Sequence, residues 1–296
     1  MKNIVVTGGA GFIGFNLIKS LLSKYNDVNI ICVDNYFTGK LENHINDDRV
    51  KYININTWDI NEDESLINFE TDYLFHLGEY SRIVQSFNDI QYVFDTNQRG
   101  TFEVLQYWRT KKCKLIYAGS SSKFGNDMED QHLSPYAWTK SKNSELIKNY
   151  SNWFDLDYAI TYFYNVYGEG HIRTGPYSTV IAIFENQYLN NKPLTVVHPG
   201  NQKRDFTHVD DIISGILKVM ESGSGDDYLL GTGTNYTIEE VAKLFNHSYV
   251  FIPERTGERF TSRAYESRAT TELGWKSKVR LEDYIKQWLE KNEQKN

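Results

Sequence analysis

At 296 residues, with 40% hydrophobic and 24% charged side chains, the chain is long enough for a principal domain with a smaller companion and has the profile of a folded protein. A net charge of -7 argues against a nucleic-acid surface, which needs a basic stripe to displace counterions from phosphates. The two cysteines, Cys32 and Cys113, lack CxxC or Cys/His surroundings, and no leader-like segment or stretch of transmembrane length is evident, so metal and thiol chemistry are not indicated and a reducing, cytoplasmic setting is expected. In chain order, short apolar runs at 4–6, 30–33, 52–53, 73–75, 115–117 and 158–160 alternate with helical apolar spacing at 15–23, 98–109 and 137–153. This alternation predicts a doubly wound α/β fold, a parallel sheet covered on both faces. A dinucleotide-binding domain is expected over 1–165, with elements near 205–233 returning to it. A smaller α/β region for substrate is expected over 166–204 and 234–296, where Pro176, Pro193, Pro199 and Pro253 interrupt the pattern.

Directly after the first strand, Thr7-Gly8-Gly9-Ala10-Gly11-Phe12-Ile13-Gly14 meets the dinucleotide fingerprint and opens into a helix. Gly11 lets the backbone approach a pyrophosphate, Gly14 lets helix and strand pack closely, and the helix N-terminus offers unpaired N–H groups to the phosphates. Asp34 ends the next strand about twenty residues on, where its carboxylate can accept the adenosine ribose hydroxyls and repel a 2′-phosphate, so NAD is expected in preference to NADP. Asp59, after the third strand, reads either as an adenine contact or as a turn residue.

Tyr136 and Lys140 are four apart at the start of a helix, on one face of it. An ammonium there stabilises the phenolate, which suits the tyrosine for proton exchange with a sugar hydroxyl. The fifth apolar run ends in Tyr117-Ala118-Gly119-Ser120-Ser121-Ser122, which places hydroxyls at the carboxyl edge of the sheet, where this fold binds ligands. Ser120 is the natural second partner for the substrate hydroxyl, whereas Ser122 reads as part of a polar loop.

With these blocks in order, the chain resembles the extended short-chain dehydrogenase/reductases, in particular the UDP-galactose/UDP-N-acetylglucosamine 4-epimerase branch. The resemblance spans nearly the whole length and includes Phe75-His76-Leu77-Gly78, Asn97-Gln98-Arg99-Gly100-Thr101, Tyr164-Asn165-Val166-Tyr167-Gly168 and Arg204-Asp205-Phe206-Thr207-His208-Val209-Asp210-Asp211. It implies Tyr136 as base, Lys140 also on the nicotinamide ribose, and Ser120 orienting the hydroxyl. Cofactor contacts are implied at Gly8, Gly11, Phe12, Ile13, Gly14, Asp34, Asn35, Asp59, Ile60, Leu77 and Asn97. Asn165, Arg204 and Arg255 would hold the nucleotide diphosphate and Glu258 the substrate ribose, the plainer reading of the two arginines being surface ion pairs. Ser121 would face the sugar, and Ser262 falls where the family sets room at C2, so an N-acetyl group is expected to fit. Homodimerisation is implied through the helices around 94–109 and 136–153.

Relatives that dehydrate or decarboxylate carry acidic residues just after the hydroxyl residue, and this chain has Ser121 and Ser122 there. The expectation is therefore C4 epimerisation of a nucleotide-diphosphate hexose through a transient 4-keto sugar, with 4-keto reduction as the alternative. Departures from the pattern sit at Glu79-Tyr80-Ser81-Arg82, where relatives have small residues, and at Tyr162 and Glu169-Gly170-His171. Glu79 and Arg82 either pair with each other or accommodate an unusual sugar bearing an amino or carboxylate group. Tyr162 replaces an arginine and Glu169-Gly170-His171 a proline-arginine continuation, and both changes put the diphosphate and base contacts in question. His76, His171, His208 and His247 lack ligand spacing for a metal.

Overall fold

The computed structural model describes residues 1–124, 132–254 and 260–293. Its centre is a seven-stranded sheet of β1 (Lys2–Thr7), β2 (Val28–Asp34), β3 (Val50–Asn54), β4 (Tyr73–His76), β5 (Lys114–Ser120), β6 (Tyr158–Phe163) and β7 (Gly225–Leu230). The spatial order is β7-β6-β5-β4-β1-β2-β3, and every neighbouring pair is parallel. Strands such as β1 and β2 are nearly continuous Val/Ile runs because helices cover both faces of the sheet. All six apolar runs noted in the sequence lie in these strands; β7 is the late strand that returns to the sheet edge.

The helices are α1 (Phe12–Lys24), α2 (Thr101–Lys111), α3 (Pro135–Phe154), α4 (Val180–Leu189), α5 (Val209–Ser222), α6 (Ile238–Leu244) and α7 (Leu281–Glu293), with shorter turns between. On one face α1 and α5 pack on the strands through Leu17, Ile18, Leu21, Ile212, Ile216 and Val219. On the other, Val104, Leu105, Trp108, Ile147 and Tyr150 from α2 and α3 do so. A third cluster, with Phe184, Leu194, Val241, Phe245 and Trp288, unites α4, α6 and α7 with the paired strands Leu194–Val197 and Tyr249–Ile252. Residues 94–100, expected to begin the α2 helix, form a π-helical stretch instead, which widens the backbone around Asn97.

Sheet order decides where a ligand can enter. From β1 the chain moves outward to β2 and β3, then crosses back to β4 on the other side, so the loops after β1 and β4 diverge and leave a crevice at the carboxyl edge.

Candidate active site

That crevice opens into a cavity of about 710 Å³, lined by the glycine loop, the ends of β2, β4 and β5, the start of α3, and residues from the second part of the chain. At its β1 end, α1 is preceded by Gly11 at the cap position, which offers no side-chain cap, so the first N–H groups of the helix are available to a phosphate. Gly11 and Gly14 differ in what they permit. A Cβ on Gly14 would meet the Gly9 Cα at 2.6 Å, whereas on Gly11 it would meet only the Gly8 carbonyl oxygen, at 3.2 Å. Gly14 is thus demanded by the loop-to-helix contact, and Gly11 keeps the cavity wall open. Phe12, Ile13, Asn35 and Leu77 also line the cavity.

Asp34 accepts the Ala10 N–H at 3.0 Å and the Tyr36 N–H at 2.8 Å. Burial pushes its carboxyl above the usual value, with these amides opposing. The wall thus combines a bare helix start with a held carboxylate one strand away, which fits a dinucleotide. Asp59, Ile60 and Asn97 do not line the cavity. Asp59 accepts from the Asn56 side chain at 3.2 Å and Ile60 is fully buried; Ile55 and Thr57 form that part of the wall instead. Asn97 turns inward: its Oδ1 accepts the Tyr80 N–H at 2.7 Å, and its Nδ2 donates to the Tyr80 carbonyl at 3.1 Å and to Thr139 at 3.0 Å. It clamps the loop after β4 to α3.

At the other end, α3 starts with Ser134 accepting the Ala137 N–H at 3.1 Å and Pro135 in the first turn, a capped start that fixes Tyr136 and Lys140 one turn apart. Both side chains line the cavity, as do Ser120, Ser121 and Ser122. Ser122 donates through both its N–H (3.2 Å) and its hydroxyl (2.8 Å) to the Ser120 oxygen, which leaves the Ser120 proton to be donated elsewhere. Ser122 therefore orients Ser120, a role more specific than loop polarity.

Glu79 does not pair with Arg82. Its carboxylate, 1% exposed, binds the Lys140 ammonium, itself 5% exposed. It also accepts from Thr101 at 2.6 Å, Asn143 at 2.6 Å and Tyr117 at 2.9 Å. Burial alone would push this carboxyl up; the Lys140 charge and these hydrogen bonds outweigh it and hold it below its usual value. Burial and the Glu79 charge push Tyr117 well above the phenol range, so it stays a donor. Lys140 further donates to the Ala118 carbonyl at 2.6 Å and lies 4.9 Å from the centre of the Tyr117 ring. Thr101, Tyr117 and Asn143 were not anticipated. A signal existed for Asn143, which stands three residues after Lys140 on the same helical face.

In the second part of the chain, Asn165, Arg204 and Ser262 line the cavity. Asn165 donates to the Asp205 carbonyl at 2.7 Å. The Asp205 carboxylate binds the N–H groups of Thr232, Gly233 and Ala264 at 2.8–3.1 Å, tying two loops to the short strand that carries Arg204. Ser262 is 2% exposed, and its hydroxyl has no hydrogen-bond partner among the described residues. Arg255 and Glu258 lie outside the described residues. Tyr162 is buried away from the cavity, donating to Asp226 at 2.7 Å and accepting from Lys123 at 2.7 Å, so it bears on packing and not on the diphosphate. Glu169 reaches Lys19 on the surface, and His171 binds Glu185 at 2.8 Å. Among the described residues no cluster of His, Cys, Asp or Glu could hold a metal, and no helix is long and apolar enough to cross a membrane.

Comparison with known proteins agrees with this geometry. A UDP-glucose 4-epimerase of Mycolicibacterium smegmatis is 28% identical, over 97% of this chain and 97% of its own. UDP-glucuronic acid decarboxylase 4 of Arabidopsis thaliana is also 28% identical, over 94% of this chain and 66% of its own. The crystal structure of UDP-glucose 4-epimerase from Thermotoga maritima with UDP-glucose superposes with a TM-score of 0.90 at 27% identity, covering 99% of both chains. The model of the NAD dependent epimerase/dehydratase family matches residues 4–231. The chain belongs to this family, as an enzyme of nucleotide-sugar chemistry with NAD as its cofactor.

Proposed function

We propose that the protein inverts C4 of a UDP-linked hexose, with room for an N-acetyl group at C2. The family also includes decarboxylases and dehydratases, so the reading rests on one observation that separates them. Among the described residues lining the cavity the only carboxylates are Asp34 and Glu79. Asp34 stands at the end of β2, remote in the fold from Tyr136, and Glu79 is fully engaged by Lys140, Thr101, Asn143 and Tyr117. Among the described residues no free acid is left beside Ser120 to remove water or assist loss of a carboxyl group.

When bound, NAD supplies reversible uptake of a hydride. Gly11 and the start of α1 would hold its pyrophosphate, Asp34 its adenosine ribose, and Lys140 its other ribose. Tyr136 takes the proton of the 4-hydroxyl and later returns it, Ser120 donates to the same oxygen, and Lys140 stabilises the phenolate. Asn165 and Arg204 hold the diphosphate. Among the described residues none beside Ser120 would divert a 4-keto sugar to elimination or loss of a carboxyl group, which supports inversion at C4 as the outcome. The unpartnered Ser262 hydroxyl offers a small polar contact at C2. Exposed Phe94, Phe102 and Trp153, on or beside α2 and α3, support a homodimer through these helices.

Incubation with UDP-, dTDP-, GDP- and CDP-hexoses, followed by NMR of the sugar, tests this reading. A C4 epimer of a UDP-sugar is expected, formed without net consumption of added NAD; loss of the C6 oxygen or a pentose product would assign the chain to another branch.

A further inference from the structure

We propose that Arg82 binds a carboxylate carried by the sugar, so that the preferred substrate is a nucleotide-linked hexuronic acid. The inference deepens the proposed function and rests on it. Arg82 follows Glu79 on the loop after β4, and its side chain lines the cavity together with Tyr136, Ser120 and Ser121. Its guanidinium is held in place by neutral oxygens. Nε donates to the Tyr177 carbonyl at 2.6 Å, and Nη1 donates to the carbonyl and hydroxyl of Ser81 at 2.8 and 3.1 Å. Nη2, with two N–H donors, has no hydrogen-bond partner among the described residues, and no acidic side chain there pairs with Arg82.

The two carboxylates nearest along the chain are engaged elsewhere. Glu79 is bound to Lys140, and Asp89 accepts the hydroxyls of Tyr80 at 2.7 Å and Tyr177 at 3.0 Å. The groups that feel the Arg82 charge are the phenols of Tyr136, Tyr80 and Tyr177, and burial disfavours that charge. Arg82 is a half-buried cation with no acidic partner among the described residues, and the natural completion of such a site is an anion brought by the ligand. Within the proposed substrate there are two candidates, the diphosphate and an acidic group on the sugar. The neighbourhood of Tyr136 decides for the sugar, because Tyr136 acts at C4 and a C6 carboxylate is borne on the adjacent ring carbon. The planar guanidinium, already fixed through Nε and Nη1, presents a fork suited to a carboxylate.

Calorimetric titration of the NAD-loaded enzyme with UDP-glucuronate, UDP-glucose and UDP tests this directly, and it measures binding without requiring turnover. The wild type is expected to bind UDP-glucuronate about 10- to 100-fold tighter than UDP-glucose, the range for a charge-assisted contact. Arg82→Met should erase that preference with UDP affinity within about twofold, and Arg82→Lys, which keeps the charge and loses the fork, should fall between. Equal binding of the two sugars by the wild type overturns the inference. So does an Arg82→Met variant that weakens UDP and UDP-glucuronate by the same factor, which would assign the arginine to the diphosphate. Failure of the folded wild type to bind any uridine ligand would instead sink the substrate reading beneath it. Absence of C4 inversion with the binding preference intact would remove the epimerase reading and leave the role of Arg82 standing.

Discussion

Glu79 and Lys140, 61 positions apart in the chain, form an ion pair in the wall of the cavity, with side chains 1% and 5% exposed. The pair changes what the Tyr-x-x-x-Lys motif does here. A lysine facing only solvent and cofactor would lend its full charge to the neighbouring phenol; this one shares its field with a carboxylate, and its position is fixed by Glu79 and the Ala118 carbonyl.

Replacing Glu79 by Gln keeps the shape and removes the opposing charge. Lys140 then loses its counter-charge and its strongest anchor beside Tyr136, and kcat/KM is expected to fall by about tenfold or more with NAD still bound. An unchanged kcat/KM would limit Glu79 to a structural role. Glu79→Ala, which strands the ammonium in the interior, should lose about 3–5 kcal/mol in chemical denaturation.

Tyr136→Phe removes the proton carrier while keeping the ring that fills the wall. Turnover should fall by roughly 10²–10⁴-fold, the span of general acid–base catalysis, with NAD still bound after gel filtration. Wild-type turnover in this variant would refute the proton transfer proposed above.

Asp34 is the residue proposed to select NAD over NADP. A Cβ on Gly39 would meet its Oδ1 at 2.6 Å, so the carboxylate is confined from behind as well as by the Ala10 and Tyr36 amides. Asp34→Ser should weaken NAD binding by about tenfold and admit NADP, as read by calorimetry; the loss corresponds to one or two charged hydrogen bonds to the ribose.

His76 sets a pH limit on stability. Its ring lies wholly in the interior between Thr7 at 2.7 Å and Thr101 at 2.9 Å, and burial pushes its pKa down from 6.5 to about 4. Above pH 6.5 the ring is neutral in both folded and unfolded chains, and its contribution is fully present. As the pH falls below 6.5 the unfolded chain takes up a proton that the folded one refuses, so stability is lost, by about 2 kcal/mol at pH 5. Urea denaturation at pH 7 and pH 5 should show this difference, and His76→Gln should flatten it.

The sequence by itself determined the doubly wound sheet, the dinucleotide loop with Asp34, and the group of Ser120, Tyr136 and Lys140. Each of these is written in local terms: apolar runs that must be buried, glycines that permit a tight turn, and residues one helical turn apart. The tertiary structure decided the rest. Glu79 could not be assigned from its neighbours because its partners come from α2, β5 and α3, elements brought together only by the order of strands in the sheet. Tyr162 looked like a change at the diphosphate but lies in the core beside Asp226 and Lys123, and Asn97 looked like a cofactor contact but clamps Tyr80. Spacing along a strand or helix fixes which residues share a face. Which charge meets which across the interior depends on the packing of elements far apart in sequence, and no local pattern records it.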